Sequence, residues 1–159
     1  MAMHTWFECK IRYEKVMENG MQKKVTEPYL VDALSFTEAE ARIIEEMTPF
    51  ISGEFTVSDI KRANYSELFP SDEESADRWF KCKLIFITLD EKSGAEKKTS
   101  TQVLVQAADL RDAVKKLDEG MKGTMADYQI EMVSETPLMD VYPYSAEPND
   151  KPEFDPAKS

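Results

Sequence analysis

The chain has 159 residues, of which 42% are hydrophobic and 32% are charged, and its 31 acidic side chains outnumber its 20 basic ones. A chain of this length buries about two thirds of the surface of its unfolded form, so it can build a core without disulfides or metal. Two cysteines and one histidine exclude a disulfide framework and a histidine-rich metal site. No apolar run approaches the roughly 18 residues of a membrane-spanning helix and no signal pattern precedes the first motif, so we expect a cytoplasmic protein without membrane contact.

An internal repeat organises most of the chain. The Trp-Phe-x-Cys-Lys sequence that begins at Trp6 recurs at Trp79, an offset of 73 residues. The Leu-Val-x-Ala sequence that begins at Leu30 recurs at Leu104, an offset of 74 residues. Because chance similarity does not hold its register through several separate segments, we interpret the chain as a tandem duplication.

The first half of each repeat is predicted to be a β-hairpin. Apolar and polar residues alternate from Thr5 to Glu14, which is typical of a strand with one buried face. Asn19-Gly20 and Ser93-Gly94 are turn sequences between two apolar runs. The second strands of the two hairpins are therefore expected at 29–33 and 101–107.

A helix and a third strand follow in each repeat. Ser35 with Glu38, and Asp109 with Asp112, have the three-residue spacing of a helix N-terminal capping pair. Apolar residues then recur at helical spacing; they are Phe36, Ala39, Ile43 and Met47 in the first repeat and Leu110, Ala113, Leu117 and Met121 in the second. The third strands are predicted at 55–60 and 128–133. The sequence therefore predicts an α+β fold of two tandem β-β-α-β repeats that form antiparallel sheet with the helices packed on one face.

The repeats set the predicted domain boundaries. The first repeat spans residues 3–70 and the second spans 79–144, and they close on similar sequences, Glu-Leu-Phe-Pro and Asp-Val-Tyr-Pro. Residues 71–78 are polar and acidic, which indicates a linker. Residues 145–159 contain three prolines and one aromatic residue. Such a segment cannot bury enough surface to offset the entropy cost of ordering, so we expect a disordered tail.

Two groups of residues resemble a known family. The Trp-Phe-x-Cys-Lys sequences at Trp6 and Trp79, together with the segment from Tyr29 to Ala41, resemble an uncharacterised domain family found in certain gut bacteria and their phages. The resemblance covers residues 3–144. The family has no assigned catalytic or binding residues, so the resemblance implies no activity.

Neither the cysteines nor the acidic clusters indicate catalysis. Cys9 and Cys82 occupy matched positions, and their phase with apolar neighbours favours two small buried side chains over a thiol or metal site. The acidic residues of the first helix fall mostly on the face away from its apolar stripe, which favours a solvated surface over a carboxylate pair or a cation site. No phosphate-binding glycine loop or nucleophile motif is present. We therefore expect no enzymatic activity, no cofactor, and no catalytic or metal-binding residue.

The polar face of the two first strands is a candidate binding surface. It places an aromatic side chain beside cations in both repeats; the residues are Trp6, Lys10 and Arg12 in the first repeat and Trp79, Lys81 and Lys83 in the second. More lysines surround the hairpin turns, namely Lys15, Lys23, Lys24, Lys92, Lys97 and Lys98. Sheets that bind single-stranded nucleic acid combine stacking rings with cations that contact phosphates. The alternative is that each tryptophan packs against neighbouring core, with the lysine stems alongside.

Three functions are open on the sequence. A non-catalytic interaction or regulatory module with an unknown protein partner fits the duplication, the acidic surface and the lack of catalytic motifs. A single-stranded DNA or RNA binder fits the face that carries tryptophan and lysine, although every segment of the chain is net negative. A small-ligand protein or enzyme with a site between the repeats is the third alternative. The oligomeric state is open, since an exposed strand edge can pair with another chain.

Overall fold

The computed structural model describes residues 5–124 and 127–143. Within them the chain forms two compact units. The first unit contains residues 5–63 and 138–143, and the second contains the described residues from 64 to 137. The predicted disordered tail at 145–159 lies outside the described residues.

The described residues form eight strands and two helices. The first five elements are β1 (Trp6–Val16), β2 (Gln22–Asp32), α1 (Phe36–Met47), β3 (Phe55–Ala63) and β4 (Glu67–Phe69). The next five are β5 (Arg78–Leu89), β6 (Glu96–Ala107), α2 (Leu110–Gly120), β7 (Asp127–Glu135) and β8 (Asp140–Tyr142). The predicted α+β fold is confirmed, and the element order of the first half recurs in the second, as a tandem repeat predicts.

The strands form two four-stranded sheets. The strand order is β3-β1-β2-β8 in the first unit and β4-β6-β5-β7 in the second. The three long strands of each sheet are antiparallel, whereas β8 joins β2 and β4 joins β6 in parallel. The register shifts at matched places, between Lys10 and Ile11 opposite β3 and between Lys83 and Leu84 opposite β7. Such a bulge bends and twists the outer strand.

The fourth strand of each sheet comes from the other sequence repeat. β4 closes the first repeat but pairs with β6 of the second unit, and β8 closes the second repeat but pairs with β2 of the first unit. The sequence repeats and the compact units are thus different divisions of one chain. Residues 71–78, predicted as a linker, lie within the second unit, where Ala76 is buried.

A hydrophobic core lies between the helix and one face of the sheet in each unit. In the first unit it contains Phe7, Cys9, Ile11, Val31, Ala39, Ile43 and Met47. In the second unit the matched positions are Phe80, Cys82, Leu84, Val105, Ala113 and Leu117. Alternation along the strands and the helical spacing of the stripe bring these side chains to one side. Packing therefore accounts for the apolar positions that match between the repeats.

Both helices begin at the predicted capping residues. Ser35 Oγ accepts a hydrogen bond from the Glu38 N–H at 3.1 Å, and Asp109 Oδ1 accepts one from the Asp112 N–H at 2.8 Å. The Glu38 and Asp112 carboxylates in turn accept from the backbone N–H that precedes each cap residue. Each pair satisfies two backbone donors, so the chain leaves the sheet and enters the helix in the same way in both units.

Candidate binding surface

The structure buries both tryptophans of the predicted binding face. Trp6 is 2% exposed and Trp79 is 5% exposed. They lie on the side of β1 and β5 that alternates with the core residues facing the helix. A ring with so little free surface cannot stack on a base in this conformation. The structure thus fits the packing interpretation of the two tryptophans, which leaves only the cations of this face for ligand contact.

The four cations of that face differ in exposure and in pairing. Arg12 is exposed, whereas Lys10, Lys81 and Lys83 are partly buried. Lys83 forms an ion pair with Glu131, with Nζ and Oε1 2.9 Å apart. Three of the six predicted residues lie on β1 and three on β5. Each sheet therefore carries one half of the predicted face, with its cations on the same strand as a buried ring.

The two cysteines are core residues. Cys9 and Cys82 are both 0% exposed. Burial, with a smaller effect from the carboxylates of Glu8 and Asp59, raises the pKa of Cys9 to about 12, and burial raises the pKa of Cys82 to about 11. A thiol with such a pKa stays protonated at neutral pH and is a poor nucleophile. The burial agrees with the interpretation of both cysteines as small apolar side chains.

A charged cluster in the second unit ties the segment after β4 to α2. Lys116 Nζ lies 3.0 Å from Glu73 Oε1 and 3.0 Å from Asp112 Oδ2, and it donates to Ser71 Oγ at 3.1 Å. Burial alone would lower the pKa of Lys116, but the carboxylates of Asp112 and Glu73 outweigh it and raise the pKa. A cleft of about 640 Å³ lies beside the cluster. Because an ammonium has three donors, Lys116 is engaged by groups of this chain and presents no donor to a ligand.

The described part of the chain contains neither a cluster of metal ligands nor a membrane-spanning helix. Among residues 5–124 and 127–143, no three His, Cys, Asp or Glu side chains are grouped so that they could hold a metal ion. The longer of the two described helices, α1, has 12 residues. No helix in the described part is long and apolar enough to cross a membrane.

Each unit extends its β-hairpin beyond its core. We name residues 14–24 the first arm and residues 88–98 the second arm; they match at an offset of 74 residues. Every residue of both arms is exposed. Backbone pairing continues almost to the turn in each of them, so the arms are ordered two-stranded ribbons. An ordered surface loses little conformational entropy when it binds a partner.

Glycines close both arms at the predicted turns. Gly20 has a φ of 82° and Gly94 a φ of 72°, a left-handed backbone that glycine adopts without steric cost. The Gly20 N–H donates to the Met17 carbonyl at 2.9 Å, and the Gly94 N–H donates to the Asp90 carbonyl at 2.7 Å. The turn sequences therefore set the length of each arm.

The two arms display different side chains. Both carry a Lys-Lys pair on the returning strand, at 23–24 and 97–98. The first arm adds three large apolar side chains near its turn; they are Val16, Met17 and Met21, which are 65%, 39% and 66% exposed. Leu89 is the one large apolar residue of the second arm. Three lysines and two glutamates leave the first arm positive, whereas three lysines and three acidic residues leave the second arm neutral.

The apolar end of the first arm is not predicted from the sequence when only the charged residues around the turn are considered. The sequence pattern points to the lysines around the turns, and the structure places them on the arms. The Asn19-Gly20 turn is flanked by Val16, Met17 and Met21. The end of this hairpin extends past the helix, so its apolar residues stay exposed. That position is the signal that could have identified them.

A protein family matches residues 5–144, a range that includes every described residue. The chain belongs to the family called Domain of unknown function (DUF4494). No curated protein and no solved structure matches the chain. The match confirms the resemblance to an uncharacterised domain family, and in this DUF4494 chain it covers both units and both arms.

Proposed function

We propose that this chain is a non-catalytic interaction module whose first arm docks on a protein partner with an acidic, partly apolar surface. The observation that supports the proposal is the exposure of Val16, Met17 and Met21 among lysines at the end of an ordered ribbon. Covering grouped apolar side chains with a partner lowers the free energy, because it removes apolar surface from water. Methionine suits such a contact because its thioether is flexible and polarisable.

Charge indicates the class of partner. The chain has a net charge of −11, yet the first arm has an excess of lysine. Complementary charge steers association, and like charge repels wrong partners and wrong orientations. An acidic partner is therefore attracted to the first arm and repelled by most of the remaining surface, so the arm selects both the partner and the orientation in which it docks.

The two thiols and the Lys116 ammonium hold the fold together and are not available for chemistry, which supports a binding role over a catalytic one. The two thiols lie in the cores, and Lys116 is held by Ser71, Glu73 and Asp112. Unpaired cysteines are typical of a reducing compartment. We therefore place the protein in the cytoplasm as part of this proposal.

Single-stranded DNA or RNA is the alternative partner. The observation that favours it is the Lys-Lys pair at the same position of both arms, 23–24 and 97–98, because cations on a ribbon can contact phosphates. Buried tryptophans offer no ring for stacking, so we rank the protein partner first. Anisotropy of labelled oligonucleotides at two salt concentrations separates the two classes. Binding that weakens with salt and that needs both lysine pairs would support nucleic acid instead.

Photo-crosslinking in cells that express the full chain tests the protein partner. A photoreactive amino acid replaces Met21 or, in a control chain, Leu110, which is 52% exposed on α2 outside the arms. We expect a discrete adduct from position 21 and none from position 110. Lys23→Glu with Lys24→Glu should remove the adduct, because the change reverses the charge of the arm while it keeps charged side chains that protect a ribbon edge from pairing. Equal adducts from both positions, or an adduct indifferent to charge reversal, contradict the proposal.

A further inference from the structure

We propose that each unit contains a binding site for an extended peptide with the sequence pattern aliphatic, aromatic, proline, and that a second copy of this chain can supply that peptide. Both sites hold segments of the chain itself: residues 67–70 lie in the second unit and residues 140–143 in the first. We name these two segments the inserted segments. The inference is independent of the partner proposed for the first arm.

The two inserted segments add to their sheets in the same way. Leu68 is in register with Leu104, and Val141 is in register with Leu30, both in parallel pairing. Leu104 and Leu30 are themselves matched residues of the repeat. The two sites thus hold one sequence pattern in one register. Strand addition at a sheet edge obtains affinity from the main chain and specificity from pockets for alternate side chains.

The aromatic position of the inserted segment is recognised on the helix side of each sheet. Phe69 packs against the core of the second unit, and its ring lies so close to Gly120 that a Cβ there would come within 2.8 Å of a ring carbon. Tyr142 packs against the core of the first unit, with its ring stacked on Tyr29 at a centroid distance of 6.1 Å. Each site therefore accommodates one aromatic ring.

A cation on each helix binds the chain at the end of the inserted segment. Arg42 donates to the Pro143 carbonyl at 3.3 Å, and Lys116 donates to the hydroxyl of Ser71, the residue after the other proline, at 3.1 Å. Arg42 and Lys116 match at an offset of 74 residues. On the opposite side of the sheet from the aromatic ring, Val141 is 7% exposed. The site in the first unit thus contacts the aliphatic, aromatic and proline positions.

Exchange between copies follows from where the inserted segments originate. Each sheet takes its fourth strand from the other sequence repeat. A second copy of the chain carries an identical segment, which can occupy the same place in the sheet. Within one chain a short tether gives an effective concentration on the order of millimolar, and the chain's own segment prevails in dilute solution. Concentrated protein should exchange segments between copies, since swapping identical elements is a low-cost route to dimers.

A synthetic peptide with the sequence of residues 136–143 is the probe for the site in the first unit. In the full chain, Val141→Asp places a charge at a buried position and should release the chain's own segment. We expect labelled peptide to bind this variant about tenfold or more tightly than wild type, measured by fluorescence anisotropy, because wild type must first displace its tethered segment. A peptide with Tyr142→Ala should not bind. Asp140→Asn in the chain is the matched control, because it keeps the inserted segment and should behave as wild type.

Mixed dimers test the second copy as the source of the peptide. Two wild-type populations with different tags are mixed at high concentration and purified through both tags in turn. Mixed dimers should increase with protein concentration and disappear with excess peptide but not with a scrambled one. Mixed dimers that resist the peptide, or no mixed dimers at any concentration, overturn the exchange between copies.

Two further results would overturn the peptide site itself. If Val141→Asp is folded by circular dichroism and does not bind the peptide, the site is wrong. If Val141→Asp unfolds, Tyr142→Ala in the chain replaces it, because this change weakens the chain's own segment and leaves the site intact. Binding of the unaltered peptide no tighter than to wild type then overturns the site. Charge reversal at Lys23 and Lys24 should leave peptide binding unchanged, so failure of this inference is distinguishable from failure of the proposed function.

Discussion

In the first unit, the Glu27 carboxylate accepts hydrogen bonds from the hydroxyls of Tyr13 at 2.9 Å and Tyr29 at 3.3 Å, whereas the second unit has no carboxylate and no tyrosine at the matched positions. The residues matched to Glu27, Tyr13 and Tyr29 are Thr101, Phe86 and Val103. The helix-facing core beneath them is nearly the same in both units. One framework therefore supports a carboxylate bonded to two tyrosines in one unit and a threonine with two apolar residues in the other.

The arms repeat this contrast at the surface. Their backbones are alike, but the first arm displays grouped apolar side chains and a positive charge, and the second displays acidic residues around one leucine. Close packing constrains the shared core, whereas rim and arm residues vary without loss of the fold. The divergence of the arms therefore indicates that the partner of the first arm is selected by residues that the second arm lacks.

The largest expected effect concerns the shared core. Phe7 and Phe80 are each 2% exposed, so Phe7→Ala and Phe80→Ala should each lower the free energy of unfolding by about 3–5 kcal/mol through lost burial and a cavity. Urea unfolding measures the loss. Leu89→Ala, at a residue 68% exposed, is the control and should change it by no more than about 0.5 kcal/mol. A loss below about 1 kcal/mol for either phenylalanine would break the equivalence of the two cores.

Removing the polar cluster of the first unit should cost more unfolding free energy than the matched change in the second unit. Glu27→Ala removes the shared acceptor of two partly buried hydroxyls and should cost about 1–3 kcal/mol. Thr101→Ala, at the matched position, removes a hydroxyl that donates to Ser66 on an exposed edge and should cost less than about 1 kcal/mol. Both values come from urea unfolding. Equal losses would mean that the cluster does not distinguish the two units.

Alkaline titration reports the polar cluster of the first unit through its tyrosines. Burial and then the Glu27 carboxylate raise the pKa values of Tyr13 and Tyr29, and burial with nearby carboxylates raises the pKa of Tyr142 from 10.0 to about 12. Since these pKa values are higher in the folded chain, the tyrosines contribute stability fully below about pH 10, and Tyr142 loses its contribution as the pH rises to about 12. Tyrosinate absorbance should show that Glu27→Gln lowers the pKa values of Tyr13 and Tyr29 without returning them to normal, because their burial persists. An unchanged titration would refute the role of Glu27.

The smallest effect is expected at the bulge of the second sheet. Lys83 and Glu131 form an ion pair at 2.9 Å with side chains 37% and 44% exposed, and the first unit has Ser58 at the position of Glu131. Glu131→Gln should lower the free energy of unfolding by less than about 1 kcal/mol at low salt and by nothing measurable at high salt. Urea unfolding at two salt concentrations measures both. A larger loss that persists in salt would assign this pair a structural role that the first unit lacks.

The sequence predicts the strands and helices whose apolar residues recur with a regular period, and these elements build the two cores. β4 and β8 have three residues each, too few to show a period. The match between the sequences at Glu67 and Asp140 is visible in the chain, but a match does not indicate which sheet a strand joins. Pairing between distant segments depends on tertiary contacts, and here each short strand joins a sheet whose other strands belong to the other sequence repeat.

The tryptophans illustrate a second limit. Alternation places Trp6 and Trp79 on the face with lysines, and an aromatic ring beside cations is typical of a binding face. The period of a strand separates its two faces but does not say whether the second face meets solvent or further packing. Their burial at 2% and 5% exposure is therefore a tertiary property.

An exchange of the arm sequences tests most directly whether the first arm is the binding surface. One chain carries the sequence of 88–98 at both arms, and another carries the sequence of 14–24 at both. These two chains and a chain with both natural arms each have a photoreactive residue at position 22. The partner adduct should form with both natural arms and with two first arms, and it should be absent with two second arms. An adduct of undiminished yield from the chain with two second arms would show that the first arm is not the binding surface.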